Sequence, residues 1–308
     1  MHANPFATRA EPAPALQPAS RQPLAFALTV GAATALSLLL GNLIALLKYP
    51  EYSAFSLENL LYQLPYWCFS ILLGAVVAAL LSRGYLERHG SVLARPLPLL
   101  LGVGLALVLA DMAYGFFHSW LFSSLHESIR DSAIPLLLVY ELLGLPAFVI
   151  PCLLPLWLGL HFATKTPQAA DYAPRREAAL LLALCVALLG LKALLLLHFL
   201  YPHAGGWMTL IYATPLVYGT LVFACAWRAL PPWLARVRPG QLALAALAIF
   251  LAWMLAQALI AGLLVLSAFS GNDALLEPPL VIVGVAVLAL LWPLTLAGLR
   301  WIYRPEAA

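Results

Sequence analysis

Apolar residues run along the chain in eight blocks of roughly twenty, at about 24–47, 64–82, 97–117, 134–160, 178–200, 209–227, 241–268 and 279–299. Polar clusters and prolines separate them. A helix rises about 1.5 Å per residue, so each block can cross ~30 Å of hydrocarbon, and lipid offers no partner to an unpaired backbone group. The pattern predicts an all-α, polytopic membrane helix bundle with about eight transmembrane helices. Residues 1–23, rich in Pro and Ala, read as a flexible cytoplasmic tail, 24–303 as the transmembrane domain, and 304–308 as a short cytoplasmic tail. The first block ends Leu46-Leu47-Lys48-Tyr49-Pro50 with no small-residue cleavage site, so it is expected to stay as an uncleaved helix.

Composition narrows this further. With 64% hydrophobic and 9% charged residues and a mean hydropathy of +0.94, the chain lies far from soluble domains, whose charged fraction is near ~25%. Of its sixteen Lys and Arg, thirteen fall in alternate connections or the tails: Arg9 and Arg21; Arg83, Arg88 and Arg95; Lys165, Arg175 and Arg176; Arg228, Arg236 and Arg238; Arg300 and Arg304. Lys48 and Arg130 fall on the opposite side, and Lys192 lies inside a span. The positive-inside rule then makes both termini cytoplasmic, and a bacterial plasma membrane is the expected location. Because the basic residues keep step with the spans, the net charge of +3 is not read as a nucleic-acid footprint. The expected partners are the lipid bilayer, a small solute, proton or amphiphile, and a membrane protein partner.

Cys68, Cys152, Cys185 and Cys225 all lie within spans and show no C-x-x-C spacing, so they read as small packing residues. No metal or cofactor is expected.

The two halves, 24–161 and 178–301, resemble each other. The first span ends Leu47-Lys48-Tyr49-Pro50 and the fifth Phe199-Leu200-Tyr201-Pro202. Each is followed by a span closing on Arg83 or Arg228 and a basic connection ending Arg95-Pro96 or Arg238-Pro239. The next span holds Leu109-Ala110-Asp111 or Leu255-Ala256-Gln257. Four spans per half keep the copies in one orientation, so the hypothesis is a parallel 4+4 repeat.

Three ionisable residues, Asp111, Glu141 and Lys192, fall inside spans. A charge there costs roughly 2.5–3.5 kcal/mol on the mildest insertion scale, so such groups face the bundle interior, pair, or line a wet cavity. Counted from the span ends, all three lie in the outer half of the membrane, at the depth of Asn42 and Gln257. Asp111, Tyr114 and His118 stand at i, i+3 and i+7 and share one helix face. These seven residues, Asn42, Asp111, Tyr114, His118, Glu141, Lys192 and Gln257, form the candidate pocket, opening to the extracytoplasmic side. The fourth span carries Pro135, Pro146, Pro151 and Pro155 with Gly144, and is expected to be kinked or interrupted.

His118, His126, His198 and His203 gather near the outer ends with Glu127, Asp131 and Asp273, without the spacing of a metalloprotease motif. Segment 118–131 reads as a short interfacial amphipathic helix. No catalytic, cofactor or metal residue is assigned. The reading carried forward is a transporter- or flippase-like bundle. Its alternatives are an accessory or sensory membrane subunit, in which Lys192 neutralises Asp111 or Glu141 structurally, and, less favoured, a membrane-embedded enzyme with an extracytoplasmic His/acid site.

Overall fold

The computed structural model describes residues 21–48, 57–130, 142, 144–167, 173–200, 212–269 and 280–303. They form an all-α membrane bundle. Its helices are α1 (Gln22–Lys48), α2 (Leu57–His89), α3 (Pro96–Arg130), α4 (Gly144–Phe162), α5 (Arg175–Leu200), α6 (Thr214–Ala229), α7 (Pro239–Phe269) and α8, which runs as Leu280–Ala289 and Leu291–Ile302. Among the described residues seven helices are long and apolar enough to cross a membrane. The exception, α6, is described over 16 residues, and residues 209–211 of its expected span lie outside the described ones.

Apolar side chains clothe the outside as well as the core. Leu97, Leu101, Leu105 and Leu109 form a stripe down α3 at 61–67% exposure, and Leu251, Leu255, Leu259 and Leu263 do the same on α7. Stripes of this size on helices of this length belong against lipid.

The chain divides into two compact units, Ser20–Gln168 and Ala169–Ala308. In the N-terminal unit α1 packs on α2 and α3, and α4 packs on α3 and α2. In the C-terminal unit α5 packs on α6 and α7, and α8 packs on α7 and α6. The internal helix order is therefore the same in each.

Matching positions carry the contacts. On α1 the buried stripe is Phe26, Val30, Ala33 and Ser37; on α5 it is Ala179, Ala183, Val186 and Gly190, at the same distances from the helix start. This i, i+4, i+7, i+11 spacing puts one face of each helix inward. Gly74 and Gly219 each stand nine residues before the arginine near the helix end, Arg83 or Arg228. A Cβ on Gly74 would come within 3.2 Å of Thr34 and 3.3 Å of Val30, and one on Gly219 within 3.2 Å of Ala187 and 3.4 Å of the Ala183 carbonyl. Small residues let the two helices approach closely at that level, a common packing device in membranes.

The basic connections are more ordered than a linker. β1 (Ser91–Leu93) pairs antiparallel with β2 (Lys165–Pro167), and β3 (Ala173–Pro174) pairs with β4 (Trp233–Leu234). The connection between α4 and α5 thus contributes two short strands, with 168–172 outside the described residues. At the start of α1 the Gln22 side chain does a strand's work: its amide donates to the Leu93 carbonyl and accepts from the Leu93 N–H, both at 3.0 Å. Ala173 pairs with Leu234 at the corresponding place before α5. Several of the basic residues are also structural. Arg83, 3% exposed, pairs with Glu87 at 2.9 Å, Arg175 lies 4.8 Å from the Trp227 ring centre, and Arg238 donates to the Ile302 carbonyl at 3.0 Å.

One helix differs from expectation, and one is irregular where its prolines fall. Segment 118–130 is not a separate interfacial helix: α3 continues unbroken to Arg130, with no Pro or Gly between Phe116 and Arg130 to interrupt it. Position 131 lies outside the described residues. In α4 the irregularity is a π-helical turn at Val149–Leu153. Pro151 and Pro155 each remove a backbone donor there, and the wider turn accommodates the loss.

Candidate functional site

The candidate residues distribute over both units. Asn42, Asp111, Tyr114 and His118 belong to the N-terminal unit and Lys192 and Gln257 to the C-terminal one. Glu141, His203, Asp131 and Asp273 lie outside the described residues, as do the side chains of His126, Glu127 and His198.

On α3, Asp111, Tyr114 and His118 are half-buried, while Ala113, Gly115, Phe116 and Phe117 between them are exposed. The face chosen by spacing is the one turned to protein. The Tyr114 and His118 rings are 6.1 Å apart, centre to centre. Asp111 stands fifteen residues into α3, about 22 Å along it, deep within the candidate span Pro96–Leu121.

Its carboxyl faces the Ser37 hydroxyl of α1. Ser37 occupies a core position of the α1 stripe, is 1% exposed, and makes no hydrogen bond of ordinary geometry among the described residues. Cys152, in the π-helical turn of α4, lies within electrostatic reach of the same carboxyl. Asp111 takes part in no ion pair among the described residues. Three elements thus converge on this acid: α1 with a hydroxyl, α3 with the carboxyl, and the irregular turn of α4 with a thiol. Asn42, by contrast, donates to the Leu38 carbonyl of its own helix at 2.8 Å, the usual resort of a short polar side chain in a membrane helix.

Ser37 was not among the residues singled out from sequence. The signal was present: it falls on the 26-30-33-37 stripe, where every other member is apolar.

The C-terminal unit contains a cavity of about 430 Å³, open to the surface, between the first turns of α6, the middle of α7 and the first segment of α8. Its walls are mostly apolar, and Gln257, a candidate residue, lines it beside Thr214, Tyr218 and Trp253. Tyr218 packs edge-on against Trp253, ring centres 4.4 Å apart. Gly190 of α5 makes room for the tyrosine, since a Cβ there would meet its ring at 3.3 Å. The Trp253 indole N–H donates to the Val287 carbonyl at 2.9 Å and ties α7 to α8. Gln257 is half-buried, and its amide hydrogen-bonds to no described residue.

Set against known proteins, the chain matches no protein family, no curated protein and no solved structure.

Proposed function

We propose that the chain is a transporter- or flippase-like membrane protein that handles an amphiphile. One observation carries this reading: an apolar groove opens on the flank of the C-terminal unit, and its wall presents an amide with no partner among the described residues. An acyl chain would occupy the groove, and a carbonyl or hydroxyl of the same molecule would meet Gln257. An amphiphile entering from the bilayer satisfies both surfaces, whereas a polar solute leaves the apolar walls bare.

Both units are read as parallel copies of one four-helix module, supported by their common helix order and by the equivalent Gly74 and Gly219 contacts. With the basic connections cytoplasmic, as the positive-inside rule directs, the Asp111 layer and Gln257 fall in the outer half of a bacterial plasma membrane. Eight spans, with α6 as the sixth, complete this topology.

The test uses the purified full chain in phospholipid vesicles doped with a fluorescent short-chain phosphatidylethanolamine, its transfer between leaflets followed by quenching from outside. Ala261 lines the groove, and Ala261→Trp is expected to fill it and stop transfer. Gln257→Leu removes one hydrogen bond worth roughly 0.5–1.5 kcal/mol and is expected to slow transfer roughly 2–13-fold. Transfer at the unaltered rate in both variants, or none above protein-free vesicles in the parent, rejects the proposal.

A further inference from the structure

The Asp111 carboxyl and the Ser37 hydroxyl pose a problem that the groove does not address. One is an acid deep in a span with no ion-pair partner among the described residues; the other is a hydroxyl buried in the helix interface with no hydrogen bond of ordinary geometry. They face each other. We propose that the pair is a proton-binding site, in which Asp111 carries a transferable proton and donates it in a hydrogen bond to Ser37 Oγ.

The donor set decides between ligands. A dehydrated metal cation of the hard class needs about six oxygens, and the described side chains offer one carboxyl and one hydroxyl here. No group of three or more His, Cys, Asp or Glu side chains stands together among the described residues. A proton needs only one acceptor beyond its carboxyl. As a neutral acid Asp111 supplies a donor to the Ser37 oxygen, which makes no hydrogen bond of ordinary geometry among the described residues.

The surroundings leave the proton room to move. Among the described residues, Cys152 from the π-helical turn of α4 interacts with Asp111, and Tyr114 and His118 follow it at i+3 and i+7 on α3 itself. On α1 the sole charged side chain is Lys48, eleven residues beyond Ser37 or about 16 Å along the helix. His161 of α4 lies nine residues beyond Cys152 and stacks on Trp157. Tyr114 and His118 continue from Asp111 along the same half-buried face. Phenol and imidazole can both pass a proton, so the face is a ready-made path between the acid and the far end of the span. This inference stands whether or not an amphiphile uses the groove.

Infrared spectroscopy of the full chain in lipid tests it. The expected result at pH 7 is a carboxylic-acid C=O stretching band in the parent that is missing in Asp111→Asn, shifts in Ser37→Ala, and fades reversibly as the pH is raised. Should Asp111→Asn fail to fold, heavy-carbon labelling of aspartate in the parent keeps the assignment. The chain has three other aspartates, Asp131, Asp171 and Asp273, all in connections, where a carboxyl near its ordinary pKa of about 3.9 is ionised at pH 7. A carboxylate in place of the acid band overturns the proposal, as does a band indifferent to Ser37→Ala. Loss of the band on adding sodium at constant pH also overturns it and assigns the site to a cation.

Discussion

Gly219→Ala should separate α5 from α6. The added Cβ would stand 3.2 Å from the Ala187 Cβ and 3.4 Å from the Ala183 carbonyl oxygen. Neither neighbour has a rotamer by which to withdraw, so the strain falls on the helix axes. Overpacking of this kind costs about 1–3 kcal/mol. Alanine also gains roughly 1 kcal/mol over glycine in helix propensity, a figure measured in water. That gain need not be known inside a membrane if a second glycine supplies the reference. A Cβ on Gly262, within α7, would have nothing within 4 Å of it, so Gly262→Ala collects the propensity without the clash. The difference between the variants then isolates packing, and Gly219→Ala should be the less stable by about 1–3 kcal/mol. Reversible unfolding in mixed detergent micelles, followed by far-ultraviolet circular dichroism, measures both. Stabilities within about 0.5 kcal/mol of one another, the spread of ordinary surface substitutions, would refute the close approach. Gly74→Ala meets side-chain atoms of Thr34 and Val30 instead, both β-branched and stiff at χ1 in a helix, and should carry a comparable cost.

Two further outcomes follow from named hydrogen bonds. Gln22→Ala deletes both bonds to Leu93 and should destabilise the chain by about 1–3 kcal/mol, at ~0.5–1.5 kcal/mol for each bond; the same micelle unfolding reads it, and an unchanged midpoint contradicts the strand-like role. Trp253→Phe keeps an aromatic ring beside Tyr218 but removes the donor to Val287, so it should cost about 0.5–1.5 kcal/mol and speed hydrogen exchange in the first segment of α8, with no change in exchange counting against the tie.

Hydrophobic blocks made the all-α membrane class readable, since a span announces itself by length and apolarity alone. Helix faces were readable where spacing applied: Asp111, Tyr114 and His118 share the half-buried side of α3. What escaped was whatever depends on a neighbour remote in sequence. Asn42 looked like a pocket residue by depth, and one of its amide hydrogens goes to the Leu38 carbonyl of its own helix. Ser37 looked unremarkable among small residues, and its interest comes from an acid seventy-four positions away that packing brings beside it. The strand pairs were hidden for the same reason, because Ser91–Leu93 and Lys165–Pro167 are too short to show a period of two. The basic residues, sufficient to suggest an orientation, concealed a second use: Arg83 and Arg238 bind carboxylate and carbonyl at the rim.

The Gln22 bonds to Leu93 also set a clock. Their partners are 71 residues apart, so at a synthesis rate of about 5–20 residues per second the second partner leaves the ribosome roughly 4–14 s after the first. Throughout that interval the Gln22–Leu93 contact is not there to hold α1, and α2 must be made in the meantime. The first helix is therefore inserted early and fastened late, and a nascent chain arrested before Leu93 should leave it free to tilt or turn against α2.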